Sequence, residues 1–109
     1  MQYSFDAYRF DPARYELAHA GMLVPLRPKG CKLLAYLLTH RDLVVSKEEL
    51  LAQLWPGQYV GDAVLHACVL AVRKALHDTG RTPSLLHTVR GQGYRFVAPV
   101  EEQAQEPHA

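Results

Sequence analysis

Two glycines bracket a glutamine and follow an arginine at Arg90-Gly91-Gln92-Gly93, between the β-prone runs Leu85–Val89 and Tyr94–Val97. Glycine takes the positive φ that a tight reversal needs, so the segment reads as a hairpin turning at Gly91 and Gly93. Its tip carries the Arg90 guanidinium and the Gln92 carboxamide beside a bare backbone that another molecule can approach closely. A fork of N–H donors and a donor–acceptor amide are suited to holding phosphate oxygens and base edges. Arg73 and Lys74 add two further cations near the end of a helical stretch, where they would also favour the helix dipole. Chemistry that breaks bonds finds little footing. Gly91-Gln92-Gly93 opens no helix and so cradles no dinucleotide, and no nucleophile has an oriented base. Cys31 and Cys68 sit in apolar helical patterns as small core thiols, the six histidines are scattered, and no zinc-type spacing occurs. The expectation is a binding module, not an enzyme, with no cofactor and no metal.

The elements that position these residues follow from periodicity. Tyr3, Phe5, Tyr8 and Phe10 form a mainly extended aromatic stretch, Asp11-Pro12-Ala13-Arg14 reads as a turn, and Tyr15–Ala18 can pair with Leu23–Leu26 around Ala20-Gly21. This predicts an antiparallel sheet of three or four strands. Pro28 suits a first helical turn, and Leu33, Leu34, Leu37 and Leu38 continue one apolar stripe up to Arg41-Asp42. After a short extended Leu43-Val44-Val45, Ser46-Lys47-Glu48-Glu49 spells a capping box for a second helix that stops at Trp55-Pro56-Gly57. A third helix begins near Asp62 as N-cap, with Leu65, Val69, Val72 and Leu76 on its inner face. Its opposite face carries Ala63, Ala67, Leu70 and Lys74, flanked by His66, Ala71, Arg73 and His77. A loop over 78–83 leads to the hairpin. Sheet, three helices and hairpin make an α+β winged helix-turn-helix with an N-terminal antiparallel β-sheet and a C-terminal β-hairpin wing.

At 109 residues the chain is one domain long, and its composition is that of an ordinary globular protein. No apolar run approaches a membrane span and no secretory leader pattern opens the sequence, while Cys31 and Cys68 favour free thiols in a reducing compartment, so a cytoplasmic setting is expected. The net charge of +1 is a poor match to a polyanionic partner taken whole. Its distribution is more telling: residues 1–100 are positive by four, and the last nine residues carry three acids and no base. Residues 1–100 are therefore expected as the folded domain and 101–109 as an acidic linker or disordered tail.

At these residues the chain resembles the OmpR/PhoB-type winged-helix DNA-binding domain of bacterial transcriptional regulators, over about residues 5–98. The matching motifs are Leu26 through Leu34, Val44-Val45-Ser46-Lys47-Glu48-Glu49-Leu50-Leu51 with Trp55, Val72-Arg73-Lys74-Ala75-Leu76, and Thr88-Val89-Arg90-Gly91-Gln92-Gly93-Tyr94-Arg95-Phe96. The resemblance implies double-stranded DNA as partner, with the third helix in the major groove and the wing at the minor groove. It makes Arg73 a backbone contact, Thr88 and Tyr94 wing hydroxyls to phosphate, Arg90 the wing arginine near the minor groove, and Trp55 a phosphate-backbone contact. His66, Leu70, Lys74 and Gln92 complete the DNA-binding set. The resemblance also implies additional sensor or regulatory domains in a longer chain and brings RNA polymerase into view as a partner. The family's polymerase-facing loop is not carried over to the short loop holding Gly57 and Gly61.

The chain departs from the pattern in the middle of the third helix. Leu70 and Ala71 stand where many members have consecutive arginines, so thymine methyls or DNA shape would replace guanine reading there. Arg27 and Gly30 replace a hydroxyl and an acid at the start of the first helix. Read by type alone, Arg90 and Arg95 could guard a sheet edge, Thr88 and Tyr94 could be ordinary strand residues, and Trp55 could belong to the core. The apolar face through Ala63, Ala67, Leu70 and Ala71 leaves a second reading open: a protein–protein interaction or dimerisation module.

Overall fold

A computed structural model describes residues 1–78 and 85–103 of the chain. The chain opens with four short strands: β1 (Gln2–Phe5), β2 (Tyr8–Asp11), β3 (Glu16–His19) and β4 (Met22–Val24). The aromatic run expected as one extended stretch is folded back on itself. Asp6 takes φ 51° between β1 and β2, and Tyr3 pairs with Phe10 across the turn. Aspartate tolerates this left-handed conformation better than most residues, because its short side chain can bond locally. Ala20 and Gly21, both at positive φ, make the tight reversal between β3 and β4, where Ala18 lies opposite Leu23.

Three helices follow: α1 (Pro28–Thr39), α2 (Lys47–Leu54) and α3 (Asp62–Ala75). Proline at the first position of α1 loses nothing, since its missing N–H would have had no helical partner. The Ser46 hydroxyl caps α2 by accepting from the Glu49 amide at 3.1 Å. The reciprocal half of the expected capping box takes another course. The Glu49 carboxylate accepts from the Tyr36 hydroxyl on α1, which ties two helices together in place of closing a single turn. Asp62 also differs from expectation. It is the first helical residue, with Gly61 as the N-cap, so its charge favours the positive end of the helix without capping it by a side-chain bond.

Between α1 and α2 lies β5 (Val45–Ser46), and after α3 come β6 (Leu86–Val89), β7 (Gly93–Phe96) and β8 (Glu101–Gln103). The hairpin β6–β7 is the expected wing, and β5 adds a third strand on the far side of β7. The N-terminal sheet has five strands in the order β4-β3-β2-β1-β8. Glu101–Gln103, expected as the start of a linker or tail, instead pair with Ser4–Gln2 along the open edge of β1, and Arg41 bonds Glu102 at 3.1 Å. An unpaired row of backbone groups on β1 and a cation beside it are the physical reasons a polar segment takes this place. The rest of that segment, 104–109, and most of the 78–83 loop lie outside the described residues.

The core sits where the two sheets meet the helices. Phe10, Leu17, Leu33, Leu34, Leu37, Leu50, Leu65, Val69, Val72, Leu86 and Phe96 are all fully buried. Phe5 of β1 meets Phe96 of β7 edge-on at 5.1 Å, a favoured aromatic geometry that joins the N-terminal sheet to the wing. The inner face predicted for α3 is the one observed, with Leu65, Val69, Val72 and Leu76 each at most 2 % exposed.

Candidate nucleic-acid interface

Burying that stripe turns the opposite side of α3 to solvent. Ala63, His66, Ala67, Leu70, Ala71 and Lys74 are all exposed, Leu70 by 49 %. The helix ends in a Schellman-type closure: the Asp78 amide donates to the Arg73 carbonyl and the His77 amide to the Lys74 carbonyl, with His77 at φ 54°. This closure turns the chain so that the end of α3 faces the start of β6.

Two side chains then lock the helix to the wing. Arg73 donates from Nε and Nη2 to the Leu86 carbonyl, at 3.2 and 2.9 Å, and from Nη2 to the Thr88 hydroxyl at 2.7 Å. The Asp78 carboxylate accepts from the amides of Leu85 and Leu86 at 2.9 and 2.8 Å. A guanidinium on the Leu86 carbonyl and a carboxylate on the Leu85 and Leu86 amides grip one strand from both polarities, and such charge-assisted bonds are the stronger kind. Asp78, expected only as the start of a loop, is a positioning residue that sequence reasoning missed. Its signal was an acid directly after a basic helix end, a place where short carboxylates commonly bond nearby amides.

At the wing tip the Gln92 amide donates to the Val89 carbonyl at 2.9 Å, Gly91 has φ 76°, and the side chains of Arg90 and Gln92 are exposed. Gly93 has a different role from the turn residue expected. A Cβ there would lie 2.0 Å from the Val45 carbonyl oxygen, so this glycine lets β7 press against β5. Thr88 is exposed and stands opposite Tyr94, which is only 4 % exposed.

Trp55 also packs inward. It closes α2 at 9 % exposure, with the Lys29 ammonium 5.4 Å from its ring centre and the same ammonium bonded to the Leu54 carbonyl. The nine residues singled out in the sequence therefore divide. His66, Leu70, Lys74, Thr88, Arg90 and Gln92 present exposed groups, Arg73 is half-buried between helix and wing, and Trp55 and Tyr94 are packed in the core.

A module of this geometry has close parallels. Residues 21–96 match the family described as "Transcriptional regulatory protein, C terminal", and the chain belongs to that family of OmpR/PhoB-type DNA-binding domains. This is a family of regulator domains rather than of enzymes. Over 97 residues the chain is 32 % identical to the transcriptional regulatory protein AfsQ1 of Streptomyces coelicolor, covering 88 % of this chain and 43 % of that one. Over 89 residues it is 35 % identical to the phosphate regulon transcriptional regulatory protein PhoB of Klebsiella pneumoniae, covering 81 % and 38 %. The chain thus spans about two fifths of the length of these curated relatives. Among solved structures, the RstA DNA-binding domain of Klebsiella pneumoniae in complex with the RstA box superposes with a TM-score of 0.78 at 28 % identity, covering 88 % of this chain and 96 % of that one. The DNA-binding domain of Escherichia coli CadC shares the fold with a TM-score of 0.81 at 24 % identity, covering 92 % and 94 %. No helix among the described residues is long and apolar enough to cross a membrane.

Proposed function

We propose that this chain binds double-stranded DNA as the DNA-binding module of a bacterial transcriptional regulator, with α3 in the major groove and the β6–β7 wing at the adjacent minor groove. The observation that carries this reading is the Arg73 bridge. It holds the exposed face of a fourteen-residue helix at a fixed offset from a hairpin whose tip bears Arg90. B-DNA's major groove, about 12 Å wide, admits a helix of this kind. Lys74, Arg90 and the Thr88 hydroxyl supply phosphate-facing groups, and the half-buried Arg73 guanidinium adds positive charge between them. His66 and Gln92 offer polar contacts, and Leu70 offers apolar contact to a thymine methyl. Trp55 and Tyr94 serve chiefly to seat these elements. Sequence preference then comes from methyl contacts and DNA shape more than from guanine reading.

Cation–phosphate binding releases counterions, so affinity for a duplex should fall steeply between about 50 and 200 mM salt. Arg90→Ala should weaken binding to specific and random duplexes alike and reduce the magnitude of the salt slope by about 1. A fluorescence titration at low salt that finds no affinity for any duplex, selected or random, overturns the proposal. Relatives that carry the module are more than twice its length. In such a setting it would work in the bacterial cytoplasm beside sensor or regulatory domains and with RNA polymerase.

A further inference from the structure

The exposed face of α3 has two flanks. Along one, Arg73 reaches the wing. Along the other, an open groove of about 750 Å³ separates α3 from the segment joining β4 to α1, with Leu26, Arg27, Ala71, Lys74 and His77 among its walls. A helix seated in a major groove runs between two phosphate backbones, one beside each flank. The wing can answer only one of them.

We infer that Arg27 grips the phosphate backbone on the flank of α3 away from the wing, with Lys74 beside it. This rests on the DNA-binding reading above and adds to it a residue that the family motifs do not supply. Arg27 is exposed and makes no ion pair among the described residues. The first turn of α1 contains no acid, and among the described residues none lines the groove to compete with a phosphate for the guanidinium. The backbone at Arg27 is fixed from two sides. Its carbonyl accepts the Cys31 amide at 3.0 Å, and the preceding Leu26 folds onto Gly30, where a Cβ would come within 2.7 Å of the Leu26 Cδ1 atom. Gly30 and Arg27 thus act together: the glycine lets the segment lie close, and the arginine stands at its end. Their placement offsets the departure inside α3, where Leu70 and Ala71 carry no charge.

The test is an anisotropy titration of a random-sequence duplex against salt with the 109-residue chain. Arg27 is the N-cap of α1 and makes no side-chain capping bond, so Arg27→Ser introduces a favoured cap and should leave the thermal midpoint no lower than wild type. The same variant should bind roughly five-fold more weakly near 100 mM salt, with the salt slope reduced in magnitude by about 1, and Arg27→Lys should restore the slope. Arg9→Ser, on the exposed side of β2, makes the equal charge change away from the groove and should leave the slope near wild type. If Arg27→Ser matches wild type in affinity and slope, or Arg9→Ser loses as much, the assignment of Arg27 is overturned while the DNA-binding reading stands. A wild-type chain that binds no duplex overturns both.

Discussion

Arg73 places two of its three guanidinium nitrogens, Nε and Nη2, on the wing, at the Leu86 carbonyl and the Thr88 hydroxyl. The residue therefore acts first on the distance between helix and hairpin. In a double-mutant cycle, Arg73→Lys and Thr88→Val should show a coupling of about 1 kcal/mol in duplex affinity; additive losses would mean the two contact DNA independently. Gly93 makes a sharper case. Because the clash at that position is with the Val45 backbone, no side-chain rotation relieves it, and Gly93→Ala should cost about 3 kcal/mol in urea denaturation. At this scale the sequence was legible in type but not in duty. The motif singled out Gly93, Trp55 and Tyr94 without telling their tasks apart. A glycine kept for a neighbouring strand from much earlier in the chain looks the same in sequence as one kept for a turn, and an aromatic ring packed inward looks the same as one lying against a phosphate.

Helices were read more accurately than strands, for a physical reason. Steps of three and four repeat often enough along α3 to fix which side is buried, so Leu65, Val69 and Val72 are found at zero exposure. Strands of two to four residues hold too few positions for a period-two pattern. The reversal at Asp6 went unseen inside an aromatic run, and the short extended Leu43-Val44-Val45 gave no sign of its partner β7. The apolar outer face of α3 raises the question of whether it meets DNA or protein. Leu70→Arg settles this at the level of the element. It should leave the chain a monomer by light scattering and tighten binding to guanine-containing duplexes, whereas a drop from dimer to monomer would favour a protein interface.

For the molecule as a whole, β8 carries the N-terminal sheet past Val100, through Glu101–Gln103. Composition could not show this, because Glu101–Gln103 is polar and all three residues are exposed. What holds the strand is the free edge of β1 and the Arg41–Glu102 pair, neither of which leaves a hydrophobic trace in sequence. The ion pair is partly exposed and worth little alone, at most about 1 kcal/mol. Ending the chain at Val100 should lower the thermal midpoint by a few degrees while leaving duplex affinity equal or slightly higher, because three acids are removed with the strand. A truncated chain that melts with wild type would show that the strand adds nothing to the fold.

The antiparallel pairing of β8 with β1 has a mechanical consequence. Gln2 and Gln103 are the outermost register partners, at the same end of the pair. Tension applied between these two points loads the hydrogen bonds in succession, starting from Gln2 and Gln103, as in opening a zip, instead of shearing them together. A tether pulling on this module would peel β8 from the sheet at low force, and the helices and wing would feel the load only after the strand had come away.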